Sequence, residues 1–166
     1  MNETARPASA MARPGAARLV SAWLPVVLWV GVITWLSGDR FSDERTAWWL
    51  LRVPFVAALG LPPAVVDVAN LILRKTAHFV EYAALSMLTY RALGFNDPAP
   101  PRRARLLWAL ALAVACAIGD ELHQATTWTR TGSPKDVLLD GLGAFAGALT
   151  GAAYLYRRRV ARRGAP

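Results

Sequence analysis

Four apolar runs organise the chain, and polar or basic residues close each of them. The first, 19–36, carries no charge. The second, about 65–93, is interrupted by Arg74, Lys75, His78 and Glu81. The third, 106–128, opens on LLWALALAVACAI and then turns abruptly polar at Gly119-Asp120-Glu121-Leu122-His123-Gln124. The fourth, 137–156, has Asp140 as its only charge. Crossing the hydrocarbon core takes about 20 helical residues. Runs one, three and four fit that length without strain. Run two is assigned on length and flanks, because its polar content defeats a hydropathy window. The expected fold is all-α: an integral membrane four-helix bundle.

Composition agrees. Apolar residues make up 55% of the 166 residues and charged residues only 18%, below the ~25% usual in soluble domains. The formal net charge is +8. Such a balance can point to nucleic acid, but the basic residues lie between the apolar runs, where membrane topology explains them more economically. The single cysteine, Cys116, excludes an intrachain disulfide.

The basic residues set the orientation. Arg6, Arg13 and Arg18 precede the first run; Arg91, Arg102, Arg103 and Arg105 separate the second from the third; Arg157, Arg158, Arg159, Arg162 and Arg163 follow the fourth. Both termini are therefore expected in the cytoplasm, as basic tails 1–18 and 157–166 around a membrane domain 19–156. Loops 37–64 and 125–136 face outward. The first run is too long for a typical signal peptide, and no A-x-A-like site follows it, so it reads as a retained helix. In the first outer loop, Ser42 is placed to cap a short helix carrying Trp48, Trp49, Leu50, Leu51 and Phe55, and Pro54, Pro62 and Pro63 limit its length. That helix is expected to lie in the outer interface.

The polar residues of three spans then fall at one depth. Span three rises from Arg105, and Asp120 stands roughly 22 Å above it. Span two descends toward Arg91, with Lys75 roughly 24 Å and Glu81 roughly 15 Å above that residue. Span four begins outside with Asp136 and Asp140. At 100° per residue, Arg74, Lys75, His78, Glu81 and Tyr82 occupy an arc of about 120°. Asp120, His123 and Gln124 span about 100°, with Glu121 at the edge. Below the i,i+4 pair Asp136 and Asp140, Gly143, Gly147 and Gly151 continue the stripe as small-xxx-small, which lets helices approach closely. Charges within a membrane face the bundle interior or a wet cavity, so one polar cavity open to the outside is expected. Both histidines, both lysines and five of the eleven acids belong to this set. Before span four, Ser133-Pro134-Lys135-Asp136 reads as a capping box with Pro at the first helical position. The helix start, beside Arg130, would suit a phosphate or carboxylate.

KTAHFVEY (Lys75, His78, Glu81, Tyr82), DELHQ (Asp120, Glu121, His123, Gln124) and RTGSPKD (Arg130, Gly132, Ser133, Asp136), followed by DGLGAFAG, resemble the VanZ-like family. These are small bacterial membrane proteins named for a member that contributes to glycopeptide (teicoplanin) resistance. The resemblance covers about 74–147. The chain departs from the family pattern in ATTWT, where an aromatic residue and PG are frequent, and in Asp140, where Asn is frequent. The resemblance implies the inner membrane of a bacterium and a role in the cell envelope.

Two readings of the polar set stand side by side. In one, Asp120 orients His123 as a general base, with Glu81 and His78 also handling protons. Arg130, Lys75, Tyr82, Gln124, Ser133, Asp136 and Asp140 hold an anionic envelope component, such as a lipid headgroup or a lipid-linked cell-wall precursor. In the other, the same residues are interhelical glue in a non-catalytic scaffold. A small transporter is a third reading, weakened by the lack of polar residues in the cytoplasmic half of the spans. His78, His123, Glu81, Asp120 and Asp136 are conceivable metal ligands, but HExxH and ExxH spacings are absent and Arg74, Lys75 and Arg130 would repel a cation. No metal or cofactor is expected. Cys116 reads as a small core residue. Expected partners are membrane lipids and either a lipid-linked precursor or a glycopeptide, with no nucleic acid. Whether there is catalysis, and the oligomeric state, are left open.

Overall fold

The computed structural model describes residues 15–38, 43–96, 98–126 and 133–163. The described residues form helices and connecting turns, with no strand among them. Four helices are long: α1 (Ala16–Leu36), α4 (Pro63–Leu93), α5 (Arg102–Ala125) and α6 (Pro134–Arg163). Two short ones, α2 (Asp43–Arg52) and α3 (Pro54–Ala58), fill the connection between α1 and α4. Helices α1, α5 and α6 are long and apolar enough to cross a membrane. Helix α4 is the longest and runs unbroken through Arg74, Lys75, His78 and Glu81.

Proline sets several boundaries. Pro54, Pro63 and Pro134 each stand at the first position of a helix, where a missing N–H costs nothing and φ is already helical. Pro25 lies inside α1 without ending it. Helix α6 outruns the expected span and carries the basic residues Arg157 and Arg158 on the same continuous helix. The expected Ser42 cap lies outside the described residues.

The helices alternate in direction. Near the start of α1, Trp23 Nε1 donates to Asn96 Oδ1 beyond the end of α4, at 3.3 Å, and further along Trp29 Nε1 donates to the Glu81 carbonyl at 2.8 Å. Helix α1 is therefore antiparallel to α4. Helix α6 is parallel to α4, because Gly143 meets Phe79, Gly147 meets Ala83 and Gly151 meets Met87. A Cβ on Gly143 or Gly147 would run into the carbonyl of Phe79 or Ala83. Only glycine admits so close a backbone approach. This α4–α6 seam is the most extensive helix contact, and α4 also packs on α1, α2 and α5.

The core is small and lean. Ala113 and Ala117 of α5, Ala144 of α6, Tyr82 and Leu85 of α4, and Ala22, Val26 and Ile33 of α1 form one buried cluster. Large side chains point the other way: Val27, Leu28, Ile72, Leu107, Trp108, Leu138, Leu142 and Phe145 are exposed. Large apolar groups outside and small ones within is the pattern of a bundle whose solvent is lipid. At the other end, Arg105 is buried beneath α4, its guanidinium 4.9 Å from the Tyr90 ring centre.

Candidate functional site

The alternating directions bring the end of α1, the first half of α4, the end of α5 and the start of α6 to one end of the bundle. There the structure gathers Ser37 at the C-terminal cap of α1, Lys75, His78, Glu81 and Tyr82 of α4, Asp120, Glu121 and Gln124 of α5, and Asp136 and Asp140 of α6. Tyr82 and Asp140 have no exposed surface; Asp120, Glu121 and Gln124 are buried. Lys75, His78 and Glu81 are half-buried. His123 is exposed. Arg130 and Gly132 lie outside the described residues.

Three local networks hold these groups. At the α1–α5 junction, the Asp120 carboxylate accepts hydrogen bonds from Ser37 Oγ and, at 2.9 Å, from Gln124 Nε2. Gln124 Nε2 also lies 3.1 Å from Ser37 Oγ. Asp120 thus works with Ser37 and Gln124, and the expected Asp120–His123 pairing is not among its bonds. The helix geometry accounts for this. Gln124 sits about 40° from Asp120 around α5 and His123 about 60° on the other side. The contact with α1 takes the first two and leaves His123 exposed on the open groove beside it.

At the rim, Lys75 Nζ pairs with Asp136 Oδ1. The side chains keep 42% and 27% of their exposure, so this is a half-solvated pair. Engaging Asp136 with Lys75 changes the α6 cap. The Ser133 backbone N–H, which a capping box would give to Asp136, donates instead to Glu121 Oε2 at 2.7 Å. The Ser133 hydroxyl does cap, accepting the Lys135 N–H at 3.3 Å. Glu121, at the edge of the polar arc in the sequence, is therefore the residue that ties α5 to the start of α6.

In the interior, His78 Nδ1 and Asp140 Oδ1 stand 3.6 Å apart, just beyond hydrogen-bonding distance. His78 Nδ1, both Asp140 oxygens, Glu121 Oε1 and the Tyr82 hydroxyl are buried with no hydrogen-bond partner among the described residues. One ligand-type atom each from His78, Glu121 and Asp140 lies within 4.8 Å of the other two. The conceivable ligand set read from the sequence held His123, Glu81, Asp120 and Asp136 beside His78. The structure groups His78 with Glu121 and Asp140 instead.

Two open grooves reach the cluster. One, between α1 and α5, is lined by Val30, Ile33, Thr34, Cys116, Asp120 and His123. The other lies among the end of α1, α2 and α4, lined by Leu36, Thr46, Leu73, Arg74, His78 and Glu81. Ser37 and Thr46 entered no sequence expectation. Ser37 follows an apolar run at the right height, but nothing in the sequence names its partner. The short helix α2 carries edge-to-face Trp48 and Trp49 rings, 5.0 Å apart, with the Arg52 guanidinium 3.6 Å from the Trp48 ring centre. Trp48, Trp49, Leu51 and Phe55 are exposed.

Comparison with known proteins agrees with the motifs. Residues 22–155 match the VanZ/LLP1 family, a span that covers α4 and α5 entirely, most of α1 and α6, and the whole polar cluster. Neither the curated proteins nor the solved structures hold a significant match to the chain. With a family match over most of its length and three helices long enough to span a bilayer, the chain belongs to the VanZ-like family of membrane proteins.

Proposed function

We propose that the protein binds or modifies an anionic component of the cell envelope, a lipid headgroup or lipid-linked precursor, at the outer face of the bacterial inner membrane. In this reading 19–156 is a four-span domain, with α4 as the fourth membrane helix, and the basic tails 1–18 and 157–166 are cytoplasmic. The polar end then faces outward by the positive-inside rule. Helix α2 lies in the outer interface, its exposed tryptophans at headgroup level.

The observation that carries the reading is the set of buried polar atoms left without partners, on His78, Tyr82, Glu121 and Asp140. A cluster serving only as glue satisfies its members, because an unpaired buried polar group costs about 1–3 kcal/mol. Polar and ionisable residues retained at membrane depth mark function. The groove that reaches His78 is flanked by Arg74. Arg130 precedes the start of α6 by four residues in the sequence, and a helix N-terminus favours an anion. Lys75, shared with Asp136, supplies the remaining positive charge at the rim. Asp120, Glu81, His78 and His123 are the groups available for proton handling.

The scaffold reading draws on a separate observation. Ser37, Asp120 and Gln124 close a satisfied network between α1 and α5, which needs no ligand. Lipidomic and muropeptide comparison of a deletion strain with its parent distinguishes the two. A binder or modifier of an envelope anion leaves an altered lipid or precursor pool. A deletion with an unchanged envelope favours the scaffold.

A further inference from the structure

We propose that His78, Glu121 and Asp140 form a three-residue site for a divalent transition-metal cation of the Zn²⁺/Mn²⁺ class. The inference stands on the geometry of these side chains and does not depend on the anion reading. The three residues come from α4, α5 and α6, and one ligand atom from each lies within 4.8 Å of the others. Asp140 is wholly buried, and neither of its oxygens has a hydrogen-bond partner among the described residues. The same holds for His78 Nδ1 and Glu121 Oε1. One potential ligand atom from each of three helices thus comes together, and the Asp140 carboxylate among them has no hydrogen-bond partner among the described residues.

The spacing suits a metal better than a hydrogen bond. His78 Nδ1 and Asp140 Oδ1 are 3.6 Å apart. Ligand atoms at about 2.0–2.2 Å from a tetrahedral Zn²⁺ are separated by roughly 3.4 Å. Two ionised carboxylates buried side by side call for a compensating positive charge, and an imidazole with two carboxylates is a borderline-to-hard donor set. The surroundings are arranged for this. Glu121 Oε2 accepts the Ser133 N–H, which fixes the carboxylate and turns Oε1 inward, the outer-shell support expected of a ligating group. Asp120 is occupied by Ser37 and Gln124, and Lys75 is held at the rim by Asp136. Absence of HExxH and ExxH spacing removes only those single-helix motifs; it places no limit on ligands from three helices. With three protein ligands one coordination position stays open, and His78 borders the groove of Arg74 and Glu81, from which water or an anionic headgroup can reach it.

The test uses the full-length protein in detergent, stripped with chelator and reloaded with Zn²⁺ or with Mn²⁺, and scored by elemental analysis. Co²⁺ serves as a spectroscopic probe. The site predicts about one metal per chain and a visible Co²⁺ d–d spectrum with oxygen and nitrogen ligation. His78→Ala, Glu121→Gln and Asp140→Asn each weaken Zn²⁺ and Mn²⁺ binding by at least about 100-fold, whereas His123→Gln retains it. Asp140→Asn removes a buried charge and keeps the shape, so it remains helical and monodisperse, which separates lost binding from lost folding. Zn²⁺ raises the Tm of the stripped wild type and leaves that of Asp140→Asn unchanged. A stripped protein that takes up no stoichiometric metal overturns the proposal. So does metal that Asp140→Asn retains, or that His123→Gln loses. Because metal is counted with no lipid present, a failed lipid assay leaves this result standing, and the converse holds.

Discussion

Gly147 offers a quantitative handle on the seam that builds the site. Its helix α6 lies so close to α4 that an added Cβ would stand 2.5 Å from the Ala83 carbonyl carbon and 2.7 Å from its Cα. Ordinary contact needs about 3.5–4.0 Å, so Gly147→Ala forces the two backbones apart by roughly an ångström. Neither partner is a flexible side-chain end that can swing away. Overpacking of this kind costs about 1–3 kcal/mol. Gly141, on the same helix, is the matched control. An added Cβ there meets only Val114 Cγ2, at 3.8 Å. Gly141→Ala carries no clash and gains the helix propensity of alanine, about 0.5–1 kcal/mol. The two substitutions are chemically identical and lie six residues apart on α6, so their difference, about 1.5–4 kcal/mol, isolates the close approach. Thermal unfolding of the purified proteins in one detergent measures it. Equal stability of Gly147→Ala and Gly141→Ala would refute the α4–α6 seam and with it the placement of Asp140 against His78.

Three further outcomes follow from the geometry. In a double-mutant cycle, Lys75→Met and Asp136→Asn should couple by only about 0.2–1 kcal/mol, as expected of a half-solvated pair; coupling of several kcal/mol in detergent melts would mean the pair is buried. Ser37→Ala should destabilise by about 1–3 kcal/mol because it strips a donor from the buried Asp120 carboxylate, and Asp120→Asn should recover part of that loss; a neutral Ser37→Ala would separate α1 from the polar end. Reporter fusions after Arg158 should behave as cytoplasmic and fusions near Thr131 as external; an external C-terminus would turn the polar end to the cytoplasm.

Much of the architecture was legible in the chain. Run length and charge placed all four long helices, and Pro134 after Ser133 marked the start of α6. The glycine stripe named the closest helix contact. Residue depth along each helix brought Lys75, His78, Asp120 and Asp140 to one level. Partner choice was not legible, because it depends on how each helix is rotated against its neighbours. Asp120 and His123 are three residues apart and look like a pair, yet α5 turns Asp120 toward Ser37 and leaves His123 exposed. Asp136 looks like a capping residue, yet Lys75 from another helix claims it and Glu121 takes the vacated N–H. Glu121 sits about 100° around α5 from Asp120, which by periodicity puts it at the margin and in the bundle puts it against α6. Arg105 counts in the sequence as one more cytoplasmic charge; folded, it is buried over Tyr90.

Arg130 offers the most direct test of the claim that the polar end recognises an anion. It precedes the start of α6 in the expected outer loop. The decisive measurement is the envelope or resistance phenotype, scored against the amount of protein in the membrane, for wild type, Arg130→Ala and Arg130→Lys. Anion recognition predicts that the alanine variant accumulates normally and loses the phenotype. It also predicts poor rescue by lysine, which lacks the planar guanidinium fork for bidentate binding. Full activity in Arg130→Ala at normal abundance would contradict the account and leave the polar cluster as the mortar of a scaffold.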